Sequence, residues 1–402
     1  MITTRTNVAV IGTGTMGSAI MWRLSERGIP AVGLEQFTPG HDRGSGHGES
    51  RIFRTAYHED PAYVPMLRAA LRGWRELGEQ TGEPVLTMTG GLSIGPSTGV
   101  IVGGSLEAAK VHALTQEILD PAEFSARFPT QRLREGDTAI WEKDAGVIRP
   151  ELAITGAVRR ACELGASVRP ESRVLGIEDG PGDTVLVRLD EEVIRADRVV
   201  VAAGAWIPGL LPEAQLPLTV ERKILAWFPA EDPTQFGPDR FPIFLRDSPE
   251  GTWYGFPTMD GKTVKIALHL GGRETDPDEL DRVVHDEDTA PLRDLVRHYL
   301  PGLSSRPVRA AVCMYTNTPD GHFVIGNPPA YRNVTVVSAC SGHGFKFAPV
   351  IGRSPPISVV ARPPNSPWSC STSTDSRIDA PESGVRAVAI EGGGPSALPL
   401  AG

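Results

Sequence analysis

The run NVAVIGTGTMGSAIMWRLSERGIPAVGLEQF, residues 7–37, decides the fold. Residues 8–11 are an unbroken apolar run, the pattern of a parallel strand buried on both faces. Gly12, Gly14 and Gly17 follow in GxGxxG spacing. Gly12 suits the tight turn, Gly14 the close approach of a pyrophosphate to the backbone, and Gly17 the close packing of helix on strand. The helix that opens here offers unpaired N–H groups to phosphates. A second strand, AVGLE, ends in Glu35, about 20 residues on, where a carboxylate can hold a ribose 2′-hydroxyl. GxGxxG alone fits many glycine turns. Strand, helix and acid together predict a βαβ dinucleotide site. Glu35 would repel a 2′-phosphate, which disfavours NADP and leaves NAD and FAD open.

A later segment bears on that choice. ADRVVVAAGAWIPGLL (196–211) reads as a strand of small apolar residues ending in Gly204, where small residues allow close backbone approach. Read alone it is an ordinary buried strand and turn. Paired with the opening unit it favours FAD, because flavoproteins of the glutathione-reductase-like class carry such a segment. Residues 151–178 read as a helix, ended by Gly165, and then a strand, SRVLGIE. The intervening stretches, such as TVKIALHL (263–270), alternate like strands. The expected fold is α/β, in a two-domain α+β arrangement: a Rossmann-like FAD-binding domain and a mixed-sheet substrate domain. Residues 1–85, 145–215 and 305–352 are assigned to the first, and 86–144 and 216–304 to the second.

Composition excludes more than it identifies. A net charge of −9 argues against nucleic-acid binding. Cys162, Cys313, Cys340 and Cys370 show no CxxC spacing, against a zinc site or a disulfide framework. No metal is expected. No run of about 18 apolar residues predicts a membrane span, and no leader pattern precedes the first strand. The expectation is a reduced, cytoplasmic protein.

HDRGSGHGESRIFRTAYHE (41–59) has neither helix nor strand period. On composition it is equally a solvated polar loop or a site where Arg51 and Arg54 meet a flavin edge or a carboxylate. Within it, GHGESRIFRTAY resembles the GHHGxxRxxRxAY-type segment of the monomeric sarcosine oxidase and N-methyltryptophan oxidase family. YGFPTMDGKTVKIALH (254–269), CMYTNTPDGHFVIG (313–326) and SGHGFKFAPVIG (341–352) resemble further segments of that family, in order. VERKILAWFPAED (220–232) is slightly nearer the N-methyltryptophan branch.

The resemblance implies an FAD-dependent, monomeric oxidase of N-methyl or cyclic secondary amino acids that reduces O2 to H2O2. It implies flavin linked covalently through Cys313, with His47 and Arg51 near the ring. Arg54 and Lys346 would hold the substrate carboxylate. Tyr254 and His269 would line the substrate site, and Lys265 would activate oxygen. Lys265 and His269, four apart on a strand, are expected on one face. Gly344, like Gly342, would let the backbone lie against the flavin. Without the resemblance, Cys313 reads as a small buried hydrophobe, Lys346 as a surface lysine, and Lys265 with His269 as a polar strand face. Two departures lie close to the expected carboxylate site: Thr55 where the family often has histidine, and His58 where it usually has glycine.

After Gly352 the pattern breaks. Residues 353–402 are rich in Pro, Ser and Arg with no period. WSCSTSTDS (368–376) can be encoded as TGG AGC TGT TCG ACC TCG ACC GAT TC, and the frame one base earlier spells ELFDLDRF, close to the family ending ELFDxxRF. The tail is therefore expected to be frameshifted, the alternative being a disordered extension. Two further functions stay open: a NAD-linked dehydrogenase of amino or hydroxy acids, and a flavin-binding protein inactivated by its C-terminus.

Overall fold

The computed structural model describes residues 2–353. β1 (Ile2–Ile11), α1 (Thr15–Glu26) and β2 (Ala31–Leu34) form the expected βαβ unit. Val8 and Val10 pack into the core on the α1 side, while Ala9 and Ile11 face a second core across the sheet. Burial on both faces is why the run shows no polar alternation. β1 lies between β2 and β12 (Val193–Val201), parallel to both. β9 (Ser167–Arg169) extends the parallel set beyond β2. β12 has two partners on its far edge: β11 (Val185–Arg188), antiparallel along its first half, and β20 (Val334–Ser338), parallel along Val199–Val201. β10 (Gly176–Asp179) and β19 (Val324–Gly326) complete this sheet. α1 is flanked by α5 (Pro150–Glu163) and α8 (Ala348–Arg353), and α2 (Val64–Thr81) packs against both.

The second sheet runs β17 (Arg273–Glu274), β13 (Thr219–Pro229), β16 (Thr263–Leu268), β15 (Gly251–Gly255), β14 (Ile243–Ser248), β5 (Gly91–Pro96), β7 (Asp137–Glu142), β6 (Glu117–Leu119). It is mixed, because β14 and β5 are parallel and its other pairs antiparallel. α7 (Asp286–Tyr299) backs it with a core that includes Phe228, Phe244 and Trp253. A third sheet has the order β3 (Arg51–Phe53), β8 (Gly146–Ile148), β4 (Leu86–Met88). A short helix, α6 (Ile207–Leu210), follows β12.

Several details differ from expectation. β18 (Arg309–Asn317), inside the block assigned to the nucleotide domain, pairs along its whole length with β13 of the second sheet. The free edge of a long strand captured it, while both edges of β12 were already taken. Within 86–144, two stretches are helical: α3 (Val100–His112) and α4 (Pro121–Arg127). The β-branched opening of α3 reads as strand, but Ile101, Val102, Ser105 and Ala108 are the buried ones, a helical spacing. The expected strand SRVLGIE begins only at Gly176, and β9, unforeseen, supplies the partner for β2. Apart from Arg353, which pairs with Glu76, the expected frameshifted tail lies outside the described residues. No described helix is long and apolar enough to cross a membrane.

Gly17 shows how close α1 lies to the turn that starts it: a Cβ there would fall 1.8 Å from the Gly12 carbonyl oxygen. Gly17→Ala must push backbone against backbone, so thermal melts should show a loss of at least about 2 kcal/mol. Gly209→Ala, where a Cβ meets nothing within 4 Å, should stay within about 0.5 kcal/mol of the parent.

Candidate functional site

A cavity of about 1060 Å³ joins the glycine turn to the second sheet, at the upper end of the range for small-ligand sites. Around the turn, Gly12 (φ +82°) lies against Ala202, whose carbonyl oxygen would be 2.8 Å from an added Cβ. Gly14 has open space beside it, so its backbone and the N-terminus of α1 stand clear to the cavity. Glu35 follows β2 and also lines the cavity; it accepts hydrogen bonds from Thr13 N (2.9 Å) and Phe37 N (3.1 Å). Burial opposes its charge, but His41 and the two N–H donors outweigh that and hold its carboxyl below the usual value. Gly204 is glycine for a different reason than expected. Its φ is +55° with nothing near its Cβ position, so the left-handed turn requires it rather than a close neighbour.

The loop at 45–50 lies beside this cavity. Gly48 (φ +96°) and Glu49 (φ +68°) are both left-handed, and their N–H groups donate to Glu151 Oε1 in the first turn of α5 (2.7 and 3.0 Å). The Gly48–Glu49 peptide therefore turns its carbonyl the other way, where Lys265 Nζ, from β16, donates to it and to the Ser50 carbonyl, both at 2.7 Å. Arg51, at the start of β3, donates to the carbonyls of Ser45 (2.6 Å) and Ser50 (2.8 Å) and lies 3.8 Å from Cys313 Sγ. Cys313 comes from β18 and is buried. Burial alone would raise its pKa; His47 foremost, then Arg51, outweigh it and bring the thiol down to about 6. Burial, and then Arg51, push the Lys265 ammonium well below its ordinary value.

A second cluster surrounds Tyr57. The Arg54 guanidinium carbon and Lys346 Nζ each lie 5.0 Å from the Tyr57 ring centroid. Arg54 follows β3; its Nη2 donates to both oxygens of Glu59 (3.1 and 2.9 Å) and contacts His58 Nδ1. Its Nη1 is buried with no hydrogen-bond partner. Lys346 sits in a single 3₁₀ turn, Phe345–Phe347, and donates to His343 O (2.7 Å) and Tyr57 Oη (3.3 Å). Phe345 stacks on Trp74 and Phe347 is fully buried, so the flanking rings fix the turn that aims the lysine inward. Burial brings Lys346 down to about 7 against the opposing pull of Glu59. It also brings His269 to about 3 and His343 to about 4, so both imidazoles are neutral at pH 7. Tyr254 Oη, from β15, and Tyr315 Oη, from β18, lie 3.2 Å apart.

Arg51, Arg54, Tyr254, His269, Gly344 and Lys346 line the cavity; His47, Lys265 and Cys313 are buried beside it, and Gly17 supports the turn from behind. Lys265 and Ala267 do share a face of β16, opposite Val264 and Ile266, with His269 just past the strand end. Lys265 looks toward Arg51 and Cys313, whereas His269 looks toward Arg54 and Lys346. Gly344 lines the cavity, but what demands glycine is the Ala339 carbonyl oxygen, 1.8 Å from an added Cβ. Glu59, Tyr57, Tyr315 and Glu151 belong to the site and were not singled out from the sequence. Tyr315 stands two after Cys313 on one strand, a spacing that points to it; Glu59, in the loop after β3, carries no such signal.

The residues present fit an adenine dinucleotide carrying a flavin. The open backbone at Gly14 and the Glu35 carboxylate suit its pyrophosphate and ribose, and a low-pKa thiol lies beside the loop. A family model described as FAD dependent oxidoreductase matches residues 7–354. Monomeric sarcosine oxidase of Streptomyces avermitilis is 41% identical over 355 residues, spanning 86% of this chain and 91% of that protein. N-methyl-L-tryptophan oxidase of Salmonella enteritidis PT4 is 33% identical over 350 residues, 86% of this chain and 92% of that protein. Among solved structures, the open form of NikD, described as an unusual amino acid oxidase, superposes with a TM-score of 0.78 at 24% identity, covering 87% of this chain and 93% of that one. This last likeness is one of fold.

The folded value of about 7 for Lys346 lies below the roughly 10.4 of an unfolded lysine. Between those values the unfolded chain binds the extra proton, so this lysine makes stability rise with pH across that window. Lys346→Met should raise the melting temperature most at about pH 6 and lose that advantage toward about pH 10. Melts of both proteins across this range give the difference directly.

Proposed function

Because the chain belongs to the FAD dependent oxidoreductase family, we propose that it is an oxidase of N-methyl or cyclic secondary L-amino acids, a cytoplasmic monomer that passes the electrons to O2. The NAD-linked alternative falls with that membership. The observation that carries the substrate class is the pair Arg54 and Lys346 about Tyr57, both lining the cavity that also reaches the glycine turn, with Arg54 Nη1 buried and unpartnered. A guanidinium donor left unmet in a buried site is costly unless an anion completes it.

For an N-methyl amino acid the balanced reaction is R–NH–CH3 + O2 + H2O → R–NH2 + HCHO + H2O2. Bound FAD supplies the two-electron acceptor between the C–N unit and dioxygen. The chain's own part is binding and charge. Arg54 Nη1 and Lys346 take the carboxylate, whose arrival restores the proton on a lysine already near its pKa. His269, neutral, and the Tyr254–Tyr315 pair face the rest of the substrate. They add no positive charge beside the amine, and burial disfavours its ammonium form, so it is held neutral as the oxidation requires. Cys313, a thiolate at neutral pH, is the group suited to covalent attachment of flavin. Lys265 is suited to stabilise charge developing on reduced oxygen, because a negative charge beside it restores its ammonium.

The test is the purified holoprotein with sarcosine, N-methyltryptophan, pipecolate and proline, read as flavin bleaching without air and peroxide release in air. N-methyl substrates should give formaldehyde one for one with peroxide. No bleaching with any of them defeats the proposal, and bleaching without peroxide defeats the oxidase part. Acid-precipitated protein should stay yellow, and Cys313→Ser should release its flavin to the supernatant. Lys265→Met should slow reoxidation about a hundredfold while changing flavin reduction far less; equal slowing of both steps would contradict its role. Arg54→Ala should raise KM about a hundredfold.

A further inference from the structure

His58 stands immediately behind the carboxylate-binding corner. Its side chain is 6% exposed and does not line the cavity. Its Nδ1 meets Arg54 Nη2, the nitrogen that Glu59 also holds, and lies 3.2 Å from Glu59 Oε2, while Arg54 Nη1 is buried with no hydrogen-bond partner. A guanidinium only donates, so Nδ1 accepts and the imidazole is neutral. Burial agrees, holding His58 well below the ordinary histidine value. The backbone carrying His58 fits against α3 only because residue 104 is glycine. A Cβ there would sit 2.5 Å from His58 O, 2.8 Å from its Cα and 2.9 Å from its Cβ. Two independent features, an acceptor behind the fork and a helix cut away to admit it, converge on one residue.

We propose that His58 is a positioning residue: it fixes the Nη2 edge of Arg54 from behind, so that Nη1 is the donor presented to an incoming carboxylate. With Glu59 alone the guanidinium can turn about the carboxylate; a second acceptor outside that ion pair removes this freedom. The role deepens the proposed function, resting on its carboxylate site but not on its redox chemistry. Gly104 belongs to the same device as the space that allows it.

Leu and Asn have nearly the same size and shape, and only Asn keeps an acceptor close to the Nδ1 position. The experiment compares wild-type holoprotein, His58→Leu and His58→Asn. Benzoate, a carboxylate with no oxidisable C–N bond, is titrated by calorimetry, and KM and kcat are measured with the best secondary amino acid. His58→Leu should weaken benzoate at least about tenfold and raise KM in step, with kcat within about threefold, and His58→Asn should restore both to within about threefold. Equal affinities in wild type and His58→Leu overturn the proposal. So do equal losses in Leu and Asn, which would mean packing alone, and so does a wild type that binds no benzoate. A wild type that binds benzoate in this pattern but is reduced by no amino acid leaves the positioning role standing and removes the oxidase reading. Should His58→Leu melt early, His58→Ala carries the same expectations against His58→Asn.

Discussion

The two hydrogen bonds from Lys265 Nζ to the carbonyls of Gly48 and Ser50 hold the two halves of the site together. The lysine comes from the second sheet; the carbonyls come from a loop whose N–H groups are held by Glu151 of α5, a helix packed on α1. The loop is thus gripped from two sides, and the Gly48–Glu49 peptide at both its N–H and its carbonyl. Glu49 has a left-handed backbone, worth about 1–3 kcal/mol of strain for a non-glycine residue. Its carboxylate accepts from Trp227 Nε1 (3.1 Å) and Arg309 (2.6 Å), and Trp227 pairs directly with Lys265 across the strands. Removing the lysine would leave the Gly48 and Ser50 carbonyls with one donor each, Ser50 N and Arg51 Nη1, and would take from both the bond that reaches the second sheet. Lys265 is a structural element before it is a chemical one.

Four cations converge here against few anions, and the arrangement follows from that imbalance. Arg51 is matched by the Cys313 thiolate and Arg54 by Glu59. Burial opposes ionisation of Glu59, but Arg54 foremost holds its carboxyl below the usual range. Neither lysine has a carboxylate within ion-pair distance; backbone carbonyls hold them, and burial lowers their proton affinity. Such a site is prepared for negative charge in two places, and each arriving charge is repaid by a proton that the lysine already binds weakly. His269 and His343, neutral through burial, keep that response on the substrate side confined to Lys346.

The dinucleotide half was legible in the sequence because its requirements are local. Turn, helix start and terminal acid fall within residues 12–35; Gly17 answers to a backbone contact a few residues away, Gly12 to one strand beyond, and Gly14 stands beside open space. The second half was legible only through resemblance. Arg51, Arg54, Lys265, Cys313 and Lys346 come from widely separated strands and turns, and no periodicity says which of them meet. Tertiary pairing decided what local pattern could not. β18 carries Cys313 into the second sheet because β13 offered it an open edge. α3 overrode a β-branched opening because one helical face could be buried. Glu59 and Tyr315 were hidden by lying next to louder residues.

The turn at 342–347 shows how closely fold and chemistry are joined. Gly342 is left-handed (φ +71°), and a Cβ on it would meet the Tyr315 ring at 2.6 Å and the His269 ring at 3.2 Å, two walls of the substrate side of the cavity. Gly344 cannot carry a Cβ because Ala339 lies in its place. His343, between them, contacts Tyr57 Oη at 2.6 Å through Nδ1 and Gly321 O at 2.7 Å through Nε2, and so ties the turn to both neighbours. Only after these backbone conditions are met does Lys346 arrive beside Tyr57, with its own carbonyl held by Trp74 Nε1 at 2.9 Å. Two glycines, a histidine and a lysine stand so close together because the first three build the one place where the fourth is useful. Loss of function at either glycine would therefore be a failure to form the anion site, whereas loss at the lysine would be a failure to charge it.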